Sequence, residues 1–401
     1  MKYIVVLGDG MADEPLAQLN GKTPLECARI PVMDELAGKG ELGLAKTVPD
    51  SMKPGSDVAN LAVLGYNPID SYSGRSPLEA LSVGVSMQED DVIFRCNLVT
   101  LTETESYDQK TILDHSSGEI STEDADVLMD ALRENLQSDE FQFYTGTSYR
   151  HIMVWKQGKV LDMEQPHDHL GQQIGRYLPK EIVFRDMMEK SYRILNEHTL
   201  NLKRAAEGKN KANSAWFWGA GTKPSLANFM EKTGMKGAMI SAVDLLKGIA
   251  VGAGMRVIDV PGANGSLHTN YAGKAQAAVK AVLDEGCDFA YVHLEAPDEM
   301  GHQGSIENKI KAIENLDSLV VAPIKAAMDA SGEPYRLLIL PDHPTPIRCR
   351  THTADPVPYI LYDSTREQKR IAQYNEKEAA QTGIYEPCGY KLIDRLFEKG
   401  C

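Results

Sequence analysis

The sequence predicts an α/β protein with a mostly parallel sheet flanked by helices and a smaller inserted α+β domain. Mostly apolar runs at residues 3–7, 289–294 and 337–340 are typical of strands that are buried on both faces of a sheet. Helical patterns alternate with such runs over the first ~90 residues and again from about residue 213 onward. The 401 residues exceed what one hydrophobic core usually serves, which favours two domains or an insertion.

The helical patterns are clearest in the second half of the chain. Residues 241–253 and 271–283 each predict a helix. Residues 305–324 predict another, with Ser305 as a candidate N-cap and Glu307 in the first turn. Its apolar residues recur at helical spacing, at Ile306, Ile310, Ile313, Leu316, Val320 and Ile324.

The middle of the chain has a different pattern. Between about residues 92 and 182 the sequence predicts short strands in VIFRCNLVTL, FQFYTGTS and YRHIMVW, polar loops and one helix near residues 121–136. This α+β stretch interrupts the alternation of strands and helices. We therefore predict a core formed by residues 1–88 and 188–401, with residues 89–187 inserted into it.

Composition and charge disfavour several classes of function. The formal net charge of −15 disfavours general binding to nucleic acids or membrane surfaces. No apolar stretch of about eighteen residues occurs, so no transmembrane helix is expected, and the first residues lack the features of a signal peptide. The six cysteines include no CxxC pair, which favours a reducing cytoplasm. The composition leaves oligomerisation open.

Acidic and histidine side chains follow the three predicted strands. Because parallel strands deliver their carboxyl ends to one edge of a sheet, where ligands bind in such folds, we expect these side chains to lie close together. Oxygen and nitrogen ligands of this kind suit Mn²⁺, Mg²⁺ or Zn²⁺, and their number suffices for two ions. A pair of ions is well suited to phosphoryl transfer. The candidate ligands are Asp9, Asp298, His302, Asp342, His343 and His352.

Ser56 is the candidate nucleophile. The Pro54-Gly55 turn signal precedes it, and a helical pattern starts at Ser56, where a helix dipole favours a phosphate or an alkoxide. A bound metal ion would further lower the pKa of its hydroxyl.

Each candidate residue has an ordinary structural alternative. Ser56 could be an N-cap, Asp9 a turn residue, and His352 an exposed loop residue. The pair formed by Asp298 and His302 could lie on a helix surface. The Gly8-Asp9-Gly10 stretch lacks the third glycine of a dinucleotide-binding fingerprint. The joint occurrence of the candidate residues at strand ends favours a common site.

Seven motifs along nearly the whole chain resemble those of one enzyme family. They are GDGMADEP, LNGKTPLECA, PGSDVANLAVLGY, GRSPLEALSVGV, HLEAPDEMGH, LPDH and HTADPVPY. They are similar to those of the archaeal-type cofactor-independent phosphoglycerate mutases of the alkaline phosphatase superfamily. The resemblance implies an alkaline-phosphatase-like core, a cytoplasmic enzyme of glycolysis, and an inserted domain that closes over a small phosphorylated substrate.

The resemblance also implies a mechanism and a set of ligands. Ser56 would take the phosphoryl group from 3-phosphoglycerate and return it to the 2-hydroxyl group, without 2,3-bisphosphoglycerate. One metal ion would be held by Asp298, His302 and His352. The other would be held by Asp9, Ser56, Asp342 and His343.

The residues that would bind the substrate are less well marked. Arginine suits both the carboxylate and the phosphate of a phosphoglycerate. We take Arg75, Arg95, Arg150, His151 and Lys247 as candidates. For each of them, a solvated or salt-bridged surface charge is the alternative.

One segment departs from the family pattern and keeps other functions open. The sequence DHSSGEISTEDA has His115, Ser116 and Glu119 where these mutases typically carry arginines. It resembles a subgroup proposed to act as homoserine kinases, so phosphorylation of homoserine at the same site is the main alternative. A non-catalytic metal-binding scaffold and a plain phosphatase are further alternatives.

Overall fold

The computed structural model describes residues 1–103, 105–368, 370 and 372–398. Cys401, one of the six cysteines, lies outside this range. The chain divides into two compact units. The first comprises Met1–Tyr72 and the described part of Ser225–Cys401, and the second comprises Ser73–Pro224. None of the helices in the described ranges combines the length and apolar character needed to cross a membrane.

The two units contain the following strands and helices. The strands are β1 (Lys2–Gly8), β2 (Glu41–Ala45), β3 (Val92–Leu101), β4 (Ile112–Asp114), β5 (Phe141–Thr147), β6 (Arg150–Trp155), β7 (Ser214–Thr222), β8 (Gly237–Ile240), β9 (Arg256–Val257), β10 (Phe289–Leu294), β11 (Tyr335–Leu340), β12 (Val357–Asp363) and β13 (Tyr385–Glu386). The helices are α1 (Pro24–Cys27), α2 (Pro31–Lys39), α3 (Ser56–Val63), α4 (Pro68–Ser71), α5 (Arg75–Ser82), α6 (Thr122–Leu136), α7 (Ile182–Asn196), α8 (Thr199–Ala206), α9 (Phe229–Thr233), α10 (Asp244–Gly252), α11 (Tyr271–Leu283), α12 (Ala296–Gln303), α13 (Ile306–Leu316), α14 (Ala322–Ser331), α15 (Glu376–Gln381) and α16 (Leu392–Leu396).

The first unit is built on a mostly parallel sheet, as predicted. Its described strands run in the order β13-β2-β12-β11-β1-β10-β8-β9. The three predicted strands are its centre, because β1 pairs in parallel with both β10 and β11. Ile4 lies opposite Ala290 on one side and Leu337 on the other. Within the described sheet, only β12 runs antiparallel to its neighbours.

Apolar contacts cover both faces of this sheet. On one face, Ile4 and Val6 belong to a buried core that also includes Met33 of α2 and Ala278 of α11. The alternate residues of β1 point to the other face, where the ring of Tyr3 lies 4.9 Å from that of Phe397. Burial on both faces explains why these strands lack polar alternation.

The predicted helices of this unit are present, with one irregularity. Helix α11 has the predicted bounds, and α10 lies within residues 241–253. The single helix predicted over residues 305–324 is α13 followed by a π-helical turn at Asp317–Val321 and then α14.

The second unit is an antiparallel sheet with helices. Strand β3 is central, with β6 and β4 on one edge and β7 on the other, and β5 continues the sheet beyond β6. The predicted strands in the middle of the chain are β3, β5 and β6, and the predicted helix is α6.

The limits of the second unit differ from those predicted. The sequence predicts boundaries at 88/89 and 187/188, whereas the structure has them at 72/73 and 224/225. The reason is hydrogen bonding along β7, which pairs with β3 from Val99 opposite Ser214 to Val92 opposite Thr222. Ser73 also donates a hydrogen bond to the Thr222 carbonyl oxygen at 2.5 Å. Strand β7 therefore completes the inserted sheet.

Candidate active site

The exits of three parallel strands deliver buried ionisable side chains to one edge of the sheet. Asp9 follows β1, and Asp342 and His343 follow β11 after Pro341. Helix α12 starts two residues after β10 and carries Asp298. These four side chains are at most 6% exposed. Because burying a charge is costly unless it is paired or bound to a metal, such a cluster needs compensation.

A first group of candidate metal ligands is formed by Asp9, Asp342 and His343. One ligand atom from each lies within 4.8 Å of the others. His343 Nε2 lies 3.5 Å from Asp9 Oδ1 and 3.4 Å from Asp342 Oδ2. Ser56 joins this group, since its Oγ lies 3.1 Å from His343 Nε2.

A second group contains Asp298, His343 and His352, again with ligand atoms within 4.8 Å of one another. His302 adjoins it, with Nε2 at 3.1 Å from both Asp298 Oδ2 and His352 Nε2. Asp298 and His302 lie on the same side of α12, as their spacing of four residues predicts. The structure thus brings Ser56 and all six predicted Asp and His residues together, with His343 in both groups.

Asp9 has a carboxylate oxygen that fits a metal ion. Its Oδ1 is buried and has no hydrogen-bond partner among the described residues. Burial, followed by the Asp342 and Asp298 carboxylates, raises the pKa of Asp9 well above its usual range. A divalent cation would supply both a partner for this oxygen and the missing positive charge. The residues present therefore fit a metal centre.

In the second ligand group, hydrogen bonds to histidine side chains stabilise the ionised Asp298 carboxylate. Although burial alone would raise it, hydrogen bonds with His302 and His352 hold the pKa of Asp298 well below its usual range. The hydrogen bond with Asp298 in turn raises the pKa of His302 to about 9, against the opposing effect of burial. The Asp298 carboxylate is therefore kept ionised, as a metal ligand must be.

Ser56 is the first residue of α3 and not its N-cap. The N-cap is Gly55, whose extended backbone has φ −178°. The Asn60 side chain, one turn along α3, donates hydrogen bonds at 2.8 Å to the Ser56 carbonyl oxygen and to Asp342 Oδ2. Asn60 is itself positioned by the Tyr291 hydroxyl, which donates to its Oδ1 at 2.6 Å. The start of α3 is thus fixed to the first ligand group.

The backbone conformation and close surroundings of Gly10 explain why a glycine follows the aspartate in the Gly-Asp-Gly stretch. Its φ of +59° is costly for other residues, and a Cβ atom built on it would lie 2.5 Å from Asp298 Oδ1 and from Thr345 Oγ1. Its N–H group donates to Asp342 Oδ1 at 3.2 Å. The glycine therefore allows the chain to pass between the two ligand groups.

His293 is a site residue that the sequence analysis missed. Its Nε2 lies 2.9 Å from Asp9 Oδ2, and its Nδ1 lies 3.3 Å from the Ser241 hydroxyl. Burial, and then the nearby Lys274 ammonium, lowers the pKa of His293 to about 3, so its ring is neutral. A histidine inside a buried apolar strand was the signal that could have identified it.

A buried ion pair connects the loops after β1 and β11. Lys309 Nζ lies 2.8 Å from Asp13 Oδ2, and both side chains are fully buried. The same ammonium donates to the carbonyl oxygens of Ala12 and Thr345. Thr345 donates from its hydroxyl to Asp298 Oδ1. Lys309 and Asp13, both unforeseen from the sequence, thus fix the loops that carry the candidate ligands.

Two of the predicted substrate residues share a carboxylate in the second unit. Arg95 Nε donates to Glu79 Oε2 at 2.6 Å, and Arg75 Nε donates to Glu79 Oε1 at 2.9 Å. Burial would raise the pKa of Glu79, but the two guanidinium groups lower it to about 2. Arg95 is buried, with its guanidinium carbon 4.6 Å from the centre of the Trp218 ring.

The remaining candidates do not lie together. Arg150 and His151 are adjacent on β6 and point to opposite faces of the sheet. His151 is fully buried, which lowers its pKa to about 3, and its Nδ1 accepts a hydrogen bond from the Gly146 N–H group. Lys247 is in the first unit and pairs at 2.6 Å with the exposed Asp259, as a surface salt bridge would.

Comparisons with a family model and with curated proteins indicate one family. A family model described as 2,3-bisphosphoglycerate-independent phosphoglycerate mutase matches residues 37–201. A probable enzyme of that name from Geobacter sulfurreducens is 49% identical over 100% of both chains. The enzyme of that name from Methanosarcina mazei is 48% identical over 96% of each chain.

Solved structures agree with this similarity. A protein from Pyrococcus horikoshii superposes with a TM-score of 0.82 at 28% identity, covering 99% of this chain and 96% of that one. The cofactor-independent phosphoglycerate mutase from Thermoplasma acidophilum superposes with a TM-score of 0.66 at 26% identity, covering 99% of both chains.

Proposed function

Because the chain belongs to the family of 2,3-bisphosphoglycerate-independent phosphoglycerate mutases, we propose that it interconverts 3-phosphoglycerate and 2-phosphoglycerate through a phosphorylated Ser56. The observation that carries the proposal is the position of Ser56 Oγ, 3.1 Å from His343 Nε2, where the two ligand groups meet. A serine that only starts a helix has no need of that position.

The proposal assigns two divalent metal ions, Mn²⁺ or Mg²⁺ or else Zn²⁺, to the two groups. Asp298, His302 and His352 would hold one ion. The other would be held by Asp9, Ser56, Asp342 and His343. When bound, the ions supply positive charge that favours the ionised Ser56 hydroxyl and stabilises the oxygens of the phosphoryl group. The unpartnered Asp9 Oδ1 supports this assignment.

The chemistry on the chain consists of two exchanges at phosphorus. Ser56 Oγ attacks the phosphorus atom of 3-phosphoglycerate, and the bond from phosphorus to the 3-oxygen breaks, leaving a hydroxyl group once protonated. The 2-hydroxyl group then attacks phospho-Ser56, and the bond from phosphorus to Oγ breaks. Because the enzyme stores the phosphoryl group itself, it needs no 2,3-bisphosphoglycerate. Through its two hydrogen bonds, Asn60 holds the start of α3, and with it Ser56, close to Asp342.

The proposal also covers the substrate side and the compartment. It assigns substrate binding to the unit Ser73–Pro224, in which Arg75, Arg95 and Arg150 lie. Lys247 and His151 have little support as substrate ligands, because one pairs with Asp259 and the other is buried. The five described cysteines are free thiols, which supports the cytoplasm as the compartment.

The alternative functions are not favoured. Curated relatives that are 45–49% identical over nearly the whole chain bear the name of the mutase. Ser56 and the complete set of Asp and His residues also argue against a non-catalytic scaffold. An assay of the protein with ATP and homoserine distinguishes homoserine phosphorylation at the same centre from the mutase reaction.

Replacing Ser56 tests the proposal. Ser56→Ala should lower kcat by ~10⁴-fold or more, because the nucleophile is lost. It should leave folding intact, since the Ser56 side chain caps no helix. Mass spectrometry of wild-type protein quenched with 3-phosphoglycerate should detect a phosphoryl group on the peptide that contains Ser56. Ser51→Ala, an exposed serine nearby, is the control. Substantial mutase activity in Ser56→Ala would disprove the phosphoserine pathway.

A further inference from the structure

Thr345 lies in the loop after β11, two residues beyond His343, and its side chain is fully buried. Its backbone is held on both sides. The Thr345 N–H group donates to the Ala12 carbonyl oxygen at 3.3 Å, and the Thr345 carbonyl oxygen accepts from Lys309 Nζ at 2.8 Å. These contacts fix the backbone of Thr345 without using its hydroxyl group.

The hydroxyl group of Thr345 contacts candidate ligands of both groups. It donates a hydrogen bond to Asp298 Oδ1, and its Oγ1 lies 3.3 Å from His343 Nδ1. Asp298 belongs to the second group, and His343 belongs to both. Thr345, which is not itself a candidate ligand, therefore connects Asp298 with the histidine that the two groups share.

The donors available determine the direction of these two hydrogen bonds. A carboxylate that holds a metal ion is ionised, so it can only accept hydrogen bonds. A hydroxyl group has one hydrogen atom, which Thr345 directs to Asp298. Thr345 Oγ1 can then only accept a hydrogen bond from His343. The hydrogen atom of the neutral His343 ring is therefore on Nδ1.

This tautomer leaves the lone pair of the His343 ring on Nε2, which faces the first ligand group. Nε2 lies 3.4 Å from Asp342 Oδ2 and 3.5 Å from Asp9 Oδ1. Ser56 Oγ is 3.1 Å away. A neutral imidazole binds a metal ion through the nitrogen atom that carries no hydrogen. With the opposite tautomer, the nitrogen atom that faces these carboxylates could not act as a ligand.

The Thr345 side chain is closely packed between two glycines. A Cβ atom built on Gly301, in α12, would lie 2.8 Å from Thr345 Cγ2 and 2.6 Å from the Thr345 carbonyl oxygen. A Cβ atom built on Gly10 would lie 2.5 Å from Thr345 Oγ1. Because a close-packed interior restricts side-chain rotation, the hydroxyl group stays directed at Asp298 and His343.

We propose that Thr345 is a positioning residue that selects the Nδ1–H tautomer of His343 and thereby makes its Nε2 available to a metal ion. The proposal rests on the proposed function, which assigns metal ions to these residues. In metal sites, a histidine ligand usually donates its second N–H group to a carboxylate, a carbonyl oxygen or water. Here a hydroxyl group links the ring to the Asp298 carboxylate, so one candidate ligand orients another through Thr345.

NMR of the full-length protein labelled with ¹⁵N in its histidines tests the proposal without metal or substrate. In chelator-treated wild type at about pH 8, where an ordinary histidine is neutral, His343 should be the Nδ1–H tautomer. The His343→Gln variant identifies its signals. Thr345→Val keeps the shape of the side chain but removes the hydroxyl group, so the Nε2–H tautomer should become detectable. Thr345→Ser should restore the wild-type spectrum, which a purely structural role of the threonine would not explain.

Calorimetric titration with Mn²⁺ is the second measurement. Thr345→Val should raise the apparent Kd by ~10-fold or more, as loss of the partner of a histidine ligand does, and Thr345→Ser should remain within about three-fold of the wild type. Thr233→Val is the matched control. Thr233 is buried in the same unit, but its hydroxyl group makes its hydrogen bonds within and just after α9. This variant should bind Mn²⁺ as the wild type does.

Two results would overturn the inference. One is the Nε2–H tautomer of His343 in the wild-type protein, a result that does not depend on the folding of any Thr345 variant. The other is an equal Kd for Mn²⁺ in Thr345→Val and Thr233→Val. Neither measurement involves a substrate. Protein that shows the expected tautomer and Mn²⁺ affinities but forms no 2-phosphoglycerate would support the role of Thr345 and contradict the mutase function.

Discussion

At the scale of single residues, Gly10 shows how closely the two ligand groups approach each other. A Cβ atom at this position would lie 2.8 Å from the Asp298 Cα as well as 2.5 Å from its Oδ1. A backbone contact of that kind cannot be relieved by rotating a side chain. Gly10 therefore affects the geometry of both ligand groups. Its lack of a side chain leaves room for Asp298, and its N–H group donates a hydrogen bond to Asp342 Oδ1.

Gly10→Ala should impair metal binding more than folding. The left-handed backbone costs a non-glycine residue about 1–2 kcal/mol, and the contact with Asp298 adds to this. Titration with Mn²⁺ should therefore find a clearly raised Kd. Gly21→Ala is the matched control, because Gly21 also has positive φ, +79°, but has no atom within 4 Å of the added Cβ. Equal Mn²⁺ affinity in the two variants would contradict this view of Gly10.

Residue type and position at a strand end were enough to predict that the main candidate ligands lie close together. Asp9, Asp342 and His343 interrupt apolar runs, so they stand out in the sequence. His293 did not stand out, because it lies within β10 itself and its partner Asp9 is 284 residues away. Asn60 was equally hidden, since one amide in a helical pattern gives no sign of a buried contact with Asp342.

At the scale of elements, Asp317 connects the π-helical turn with the start of α2. The residue before α2, Ile30, offers no side-chain cap. Asp317 supplies the missing acceptor, since Oδ1 accepts from the Met33 N–H group at 2.7 Å. Burial raises the pKa of Asp317 to about 6, although this hydrogen bond and one from Val32 act in the opposite direction.

This carboxyl should make stability depend on pH. Because the pKa is higher in the folded state than its ordinary value of 3.8, the stabilising contribution is complete below about pH 4 and is lost as the pH rises through about 6. Asp317→Asn stays neutral throughout. Its free energy of unfolding in urea, relative to wild type, should therefore increase between about pH 4 and pH 7. Glu307→Gln, at an exposed site on α13, is the control. A constant difference for Asp317→Asn would refute the assignment.

The sequence predicted most elements but not their irregularities. The apolar spacing of residues 305–324 continues through the π-helical turn, so the extra residue in that turn leaves no mark on the pattern. The antiparallel direction of β12 was also not predictable, because a buried apolar run carries no information about strand direction.

At the scale of the whole molecule, the limits of the two units were predictable only approximately. Alternation of strands and helices correctly indicated an insertion, but it assigned β7 to the core. Strand β7 joins β3 across more than a hundred residues of chain, and the sequence gives no sign of this pairing. The insertion consequently starts earlier and ends later than predicted.

Because the net charge of the chain is −15, binding of an anionic substrate requires local positive charges. A doubly anionic substrate is repelled by the molecule as a whole, although salt screens this repulsion beyond about 8 Å at physiological ionic strength. Capture must then depend on positive charges close to the substrate.

Phosphorus NMR of the purified protein with Mn²⁺ and 3-phosphoglycerate tests the central claim most directly. The resonance of 2-phosphoglycerate should appear, and it should fail to appear after chelation until Mn²⁺ is added back. A parallel sample with ATP and homoserine should remain unchanged. Formation of phosphohomoserine from ATP, with no 2-phosphoglycerate in the first sample, would contradict the proposed substrate while leaving the phosphotransfer centre in place.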